Sequence, residues 1–489
     1  MYRLSGEKMN MHPAPTPSRT FLSHAIAAAL AIPSLALAGT IVVDGTTCTL
    51  ANAIVSANSD SASGGCTAGN GQDTIQIPSN QTNIAGLPVV ISDIDFVNSG
   101  VGTIYISGNG SGRLLMIGDG SHAPNVNISY LWFTGGTAHG GNATGGGGAG
   151  AGLGGGVFVY DGNVTIDHSG FSENGAYGGA SSGFVALHNG GGGGGGLFGG
   201  GGSGAVLLQA TGGGAGGGGA FGGGGGGGGT TWLNEGVPTG ADGGNGSGTL
   251  AGSAGLVSLV APGSGGFGGG GGGGAAPGSS ASQAGAEGGF GGGGGGGAGS
   301  GLLNFVDTPG DGANGGFGAG GGSGGSSSGT MPGGAGGMGG FGGGGGSAGA
   351  GSLPGPGGFG GFGGGDTEGG GGGGAGFGAA IFVRSGQVTL TNSTITSNGS
   401  GRGTGAPLNG LAKAAGMFVL SSLTNANGND QGMPAQLPSV TGCANNFSFN
   451  FAADAGTTNR DNPDVYGADR VGLTLDCGDG IFADGFGTP

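Results

Sequence analysis

The sequence predicts an all-β fold of stacked repeat units, a solenoid, interrupted by one large Gly-rich insertion. Three observations carry this. Residues 157–174 (VFVYDGNVTIDHSGFSEN) are written again, loosely, at 381–398 (IFVRSGQVTLTNSTITSN). Val157 matches Ile381, Phe158 matches Phe382, Val164 matches Val388, Ile166 matches Leu390, Phe171 matches Ile395 and Asn174 matches Asn398. A weaker copy, NVNISYLWFTGG at 125–136, aligns with 163–174. A unit this short cannot bury its apolar face alone and needs like units above and below it. The second observation is a series of short β-branched segments bounded by Gly, Asn and Asp, the signature of strands. The third is composition: 149 of 489 residues are Gly and only 7% are charged. Collagen is excluded, because runs such as 222–229 break any G-X-Y period.

Taken in order, residues 1–38 read as an export signal. Arg3, Lys8 and Arg19 precede an apolar run, 24–38, ending in Ala36-Leu37-Ala38, which places cleavage after Ala38. Pro33 and the shortness of the run argue against a membrane anchor, and no later segment is apolar over a spanning length. Residues 39–78 form an N-terminal cap, with strands at 40–43 and 74–78 around a short helix in 48–58. Leu50, Ile54 and Val55 share one face of that helix. Residues 79–190 hold the first repeat units, with strands at 87–91, 93–97, 103–106, 113–117, 126–133, 156–160 and 164–171. In the last of these, Val164 and Ile166 alternate with Thr165 and Asp167, so one face is buried and the other is wet. Asn174 and Asn398 close their units. An Asn repeated at one corner either hydrogen-bonds to the next unit or stands in a solvated turn.

Residues 191–378 are the Gly-rich insertion, and 97 glycines fall between 191 and 380. Phe198, Phe221, Phe267, Phe290, Phe317, Phe341 and Phe359 recur there at separations of 23, 46, 23, 27, 24 and 18, and since 46 is twice 23 the period is near 23, as in a solenoid. Two readings follow. Gly has the most conformational freedom to lose and no side chain to bury, which favours projecting, weakly ordered loops. Alternatively, Gly strands pack closely in an extended polyproline-like form, one Phe anchoring each repeat. The balance of these terms favours loops. Residues 379–425 resume the repeat units, and 426–489 form a C-terminal cap or tail.

Cys48, Cys66, Cys443 and Cys477 lie as a near pair at each end of the mature chain. The local pairing 48–66 and 443–477 is the natural one of three connectivities, each bridge contributing about 3–4 kcal/mol. Disulfides agree with export.

The formal net charge of −16 and a stretch of 270 residues between Arg113 and Arg384 without Lys or Arg exclude a nucleic-acid partner. Neutral surfaces, glycans, proteins and divalent cations remain. No cofactor is implied; Asp476, Asp479 and Asp484 are candidates for weak Ca²⁺ binding, against a solvated acidic tail. Glycoside cleavage requires paired carboxylates. Asp93 with Asp95, and Asp161, Asp167 and Glu173, are the candidates, with His168 as a base and Arg113 as the single cation of this half. Asp93 and Asp95, at i and i+2 of a strand, read more simply as a wet strand face. No nucleophile elbow, phosphate loop or EF-hand loop is present in the sequence.

Several motifs resemble known families. CTLANAIVSANSDSASGGC (48–66) resembles the CSLREA-type segment of bacterial secreted surface proteins, with Ala51-Asn52 where that motif has Arg-Glu. Gly155-Gly156-Val157 … Phe171-Ser172-Glu173-Asn174 is similar to the GGAI and FxxN repeats of polymorphic outer-membrane proteins, and 378–398 is a looser match. Residues 481–486, IFADGF, resemble the IFxDGFE tail of secreted gammaproteobacterial proteins, with Gly487 in place of Glu. The resemblance implies a right-handed parallel β-helix. The expectation is an exported, non-catalytic surface or matrix protein acting by adhesion or coating. The alternatives are a carbohydrate-active enzyme and a purely structural coat.

Overall fold

The computed structural model describes residues 39–84, 86–183, 190–197, 199–204, 215–217, 222–229, 242, 261–276, 282–300, 308–327, 330–367, 369–406 and 408–467, and the backbone of 471–474. The expected signal and its cleavage site at Ala38 lie outside these residues, as do Phe198, Phe221 and Cys477. So does 475–489, with its three acidic candidates.

Among the described residues, five parallel sheets and one helix make up the regular structure. The largest sheet has eight strands: Thr40–Val42, Asp73–Ile77, Ile94–Asn98, Asn125–Ser129, Asn163–Asp167, Gln387–Thr391, Ser439–Cys443 and Val471–Thr474, neighbours in that order. A second, of five strands, runs Ile104–Ser107, Leu131–Thr134, Gly170–Ser172, Thr394–Thr396 and Asn446–Ser448. A third is centred on Val157–Val159 and Ile381–Val383. From Asn125 onward the chain visits the sheets in one fixed order, and each pass pairs in register with the last. The repeats are therefore direct neighbours in space. Val157 faces Ile381, Phe158 faces Phe382, Val164 faces Val388 and Phe171 faces Ile395, although 224 residues separate the partners in sequence. The weak copy pairs just as the alignment places it, Val126 with Val164 and Phe133 with Phe171.

Alternation explains the interior. Ile75, Phe96, Ile128, Ile166 and Leu390 stack in one buried column of the eight-stranded sheet. The Phe133 and Phe171 rings stack at 5.2 Å in the next sheet. Segments 126–133 and 164–171, read as single strands from sequence, each break into two. The break falls at Tyr130 and His168, which adopt φ of 56° and 46°. A left-handed residue between strands turns the chain from one sheet to the next; His is among the types enriched in that conformation, whereas Tyr is not. Segment 87–91 contributes only an isolated bridge, Val90 with Ile117.

The helix spans Leu50–Ser59, with the Thr49 hydroxyl accepting from the Asn52 amide and Asp60 closing it at φ 47°. Its buried face is Leu50, Ala53, Ile54 and Ala57; Val55, expected on that face, is exposed. The Cys48–Cys66 disulfide ties the helix to the loop after it.

The described Gly runs correct the expectation of projecting, weakly ordered loops: 222–229, 268–274, 291–299 and 315–325 are buried and hydrogen-bonded. Segment 291–299 shows how. The amides of Gly291, Gly294 and Gly297 donate to Phe317, Gly320 and Ser323; those of Gly292, Gly295 and Ala298 to Gly289, Ala286 and Gln283; those of Gly293, Gly296 and Gly299 to Gly223, Gly226 and Gly229. Three partners taken in rotation is the three-residue turn of polyproline II, which has no internal hydrogen bonds and must satisfy its amides sideways. Neighbours approach this closely because no Cβ intervenes. The freedom lost by Gly is offset by one hydrogen bond per residue, a term that a hydrophobicity count omits.

Five repeats among the described residues of this block fold back at a Phe. Gly266-Phe267-Gly268-Gly269 closes with the Gly269 amide on the Gly266 carbonyl at 2.8 Å, Gly268 having φ 79°. This is a type II turn, whose third residue must be Gly. It recurs at Phe290, Phe317, Phe341 and Phe362. Their rings stack in a ladder at 5.1, 5.2, 4.9 and 5.5 Å. A second ladder, Phe158, Phe382, Phe418 and Tyr466, comes from the sheet centred on Val157–Val159 and stacks at 5.1, 5.2 and 4.7 Å. The two ladders meet edge to face, as Phe158–Phe290 and Phe317–Phe382 do. Such pairs are worth about 0.5–1.5 kcal/mol each beyond their burial. Phe359, counted from sequence as an anchor, is 59% exposed; Phe362 is the turn residue in its place.

Residues from 426 onward do not form a separate cap over their described length. Segment 439–450, SVTGCANNFSFN, is another copy of the repeat and pairs with 387–398 at a constant offset. Just before it, a strap with turns at 425–428 and 430–433 crosses the Phe turns. Its alternate carboxamides donate to carbonyls of successive repeats: Gln431 to Gly288 at 2.6 Å, Asn429 to Gly315 at 2.8 Å and Asn427 to Gly339 at 2.8 Å.

Candidate functional site

The structure engages three of the carboxylates singled out from sequence, Asp93, Asp95 and Asp167, in contacts between successive passes of the chain. Asp93 accepts from the backbone and side-chain amides of Asn125, at 2.7 and 3.1 Å. Asp95 accepts from Asn127 at 2.6 Å and Gln72 at 3.1 Å. Burial pulls the Asp167 carboxyl upward, but hydrogen bonds from Thr391, His168 and Asn392 outweigh it and hold it below its ordinary range. Asp161 accepts from the Gly162 amide, and Glu173 sits at a left-handed corner, φ 55°. His168 stacks on Tyr130 at 4.8 Å.

Arg113, weighed as a reactive cation, is instead buried. It donates to the Leu153 and Gly154 carbonyls and lies 4.9 Å from the Phe158 ring centroid. Burial pushes it down to about 9. Arg384 is held in the same way. Its guanidinium donates to the Gly432 and Tyr160 carbonyls and stacks 4.1 Å over Tyr160, joining the strap to the sheets. A polar cleft of about 480 Å³ opens beside it, lined in part by Asp119, Tyr160, Asp161 and Gln436.

Asn174 and Asn398 are buried and linked. Asn398 Oδ1 accepts from both the backbone and side-chain nitrogens of Asn174 at 3.0 Å. The Asn398 amide passes on to Asn450 at 2.9 Å, and Asn450 to Asp464 at 2.8 Å. Burial pushes the Asp464 carboxyl up.

One outer surface was not singled out from sequence. The five-stranded sheet of Ile104–Ser107, Leu131–Thr134 and their partners presents two outward columns free of charged side chains. One runs Tyr105, Trp132, Gly170, Thr394, Asn446; the other runs Ser107, Thr134, Ser172, Thr396, Ser448. Tyr105, 40% exposed, and Trp132 are register neighbours with centroids 6.2 Å apart. Trp132 lies across Gly170, where any Cβ would overlap its ring, and its Nε1 donates to Ser172 Oγ at 2.8 Å. Ser172 in turn donates to Thr134 at 3.3 Å, and Ser448 to Thr396 at 3.1 Å. Alternating aromatic and hydroxyl residues at 105–107 and 130–134 were the available signal.

Cys443 is disulfide-bonded. Among the described residues no cluster of three or more His, Cys, Asp or Glu is placed to hold a metal, and no helix is long and apolar enough to cross a membrane. No protein-family model, curated protein or solved structure matches the chain.

Proposed function

We propose that this chain is an exported, non-catalytic surface or matrix protein, a right-handed parallel β-helix of the CSLREA-type class that acts by adhesion or coating. The observation that carries the reading is how its polar groups are used. Asp93, Asp95 and Asp167 each bridge one pass of the chain to the next, and Arg113 is sealed against carbonyls and an aromatic ring. Groups tied to structure in this way are poor proton carriers, because releasing them costs the hydrogen bonds they make. The fixed order of sheet visits and the in-register pairing support a solenoid. The Cys48–Cys66 bridge suits an oxidising compartment.

Two measurements test the reading together. Cell fractionation and immunoblotting should find the chain on the outer surface or in the medium. The purified protein should leave a panel of acidic polysaccharides intact. A cytosolic location, or depolymerisation abolished by Asp93→Ala with Asp95→Ala, would replace it with the carbohydrate-active alternative.

A further inference from the structure

We infer that the uncharged face carrying Tyr105 and Trp132 is a binding platform for neutral polysaccharide chains. The inference rests on the surface-protein reading and names its ligand class.

Three features converge. The first is preorganisation. An indole standing on a sheet would ordinarily sample several rotamers, but Trp132, half-buried, is fixed by the Ser172 hydrogen bond and by the flat space over Gly170. Its broad side is held along the sheet and costs little to order on binding. The second is the pairing of chemistries. A pyranose has an apolar C–H face and a rim of hydroxyls. Tyr105 and Trp132, register neighbours with centroids 6.2 Å apart and ring planes inclined at 51°, offer two successive rings that a twisting sugar chain would meet in turn. The hydroxyls of Ser107 and Thr134 lie two residues along the same strands, on the same side of the sheet, where the rim would reach them. Tyr and Trp suit this use because each joins a large apolar body to a polar tip.

The third is charge. The two outward columns hold no ionisable side chain except the Tyr105 phenol, in a chain whose formal net charge is −16. An acidic glycan would be repelled by the protein as a whole and would meet no cation on this face. A neutral chain meets neither obstacle. The hydroxyl ladder continues through Thr396 to Ser448, so the face is long enough for several sugars, as a polymer ligand requires.

The test uses the full chain. Trp132 and Trp232 are its two tryptophans, so Trp232→Phe leaves Trp132 as the fluorescent reporter. Titration with soluble neutral glucan and mannan oligosaccharides should change its emission saturably, and an oligogalacturonate of equal length should not. Trp132→Ala and Tyr105→Ala, followed by glycan pull-down, should each weaken binding tenfold or more while circular dichroism is unchanged. Gly170→Ala keeps both rings but displaces one, and should also weaken binding at least fivefold. Equal binding of acidic and neutral glycans, or binding that survives Trp132→Ala, overturns the inference. So does no response to any neutral glycan. None of these results bears on where the chain resides, which fractionation reports separately.

Discussion

Replacing Gly295 by Ala separates a packed Gly block from a loose one by the sign of its effect. A Cβ built on Gly295 stands 2.1 Å from the Gly272 carbonyl oxygen, about 1.3 Å short of the 3.4 Å where ordinary contact begins. The obstacle is backbone on both sides, so no side-chain rotation relieves it. Segments 268–274 and 291–297 must part. The Gly271–Gly293 and Gly274–Gly296 hydrogen bonds that flank the site, each 3.0 Å, then stretch beyond useful length. Two lost bonds at about 1 kcal/mol each, with buried groups left partly unsatisfied, amount to about 2–5 kcal/mol. In an unpacked segment the same change would be neutral, or would stabilise by about 0.4–1 kcal/mol by restricting the unfolded chain. Gly120→Ala is the control. Its Cβ meets Phe267 at an ordinary 3.7 Å, and its effect should stay within about 0.5 kcal/mol. Equilibrium urea unfolding followed by circular dichroism reads both. A Gly295→Ala protein as stable as the parent, or more stable, refutes the packing argument.

Other outcomes follow from the same geometry. Asn429→Ala removes the strap amide that reaches Gly315 and should cost about 1–3 kcal/mol, seen as faster limited proteolysis between 421 and 437. Asn398→Leu leaves the buried backbone N–H of Asn174 without its acceptor and takes one of two acceptors from Nδ2, which keeps the Phe133 carbonyl. It should cost about 3 kcal/mol, and a double-mutant cycle with Asn174 should couple by at least about 0.5 kcal/mol. Burial raises the carboxyls of Asp73 and Asp464, so the folded chain binds protons more readily there than the unfolded chain does. Their contribution is fully present below the ordinary carboxylate value and is lost as pH rises through the raised folded values. Asp464→Asn should flatten that part of the stability profile, as urea midpoints between pH 4 and pH 8 would register.

Sequence revealed those parts of the fold that side chains report. The match of Val157 to Ile381 and Val164 to Val388 became strand register, because apolar alternation fixes which residues face the interior. The corner at Tyr130 was not legible, since Tyr is not a left-handed type, and at His168 the residue's modest enrichment there was too weak a signal inside an apparently continuous strand. The Gly block was obscured for a different reason. A residue without a side chain leaves no hydrophobic pattern, and its hydrogen bonding has no sequence signature beyond permissiveness. The Phe period was the one trace, and Phe359 was taken for Phe362 because both lie between glycines. Only the turn from Gly361 to Gly364 distinguishes them. In the strap, carboxamides stand at every second residue from Asn425 to Gln431, but nothing in sequence names the carbonyls they reach. The Tyr105–Trp132 platform lay in plain view as alternation, yet only register shows that the two rings are neighbours.

Hydrogen exchange read by mass spectrometry across 265–345 tests the account most directly. If the glycines form a bundle whose amides are satisfied in three directions, peptides from 291–299 and 318–327 exchange orders of magnitude more slowly than a free chain of the same composition. Exchange there at the free-chain rate, beside slow strands at 157–167 and 381–391, would contradict it.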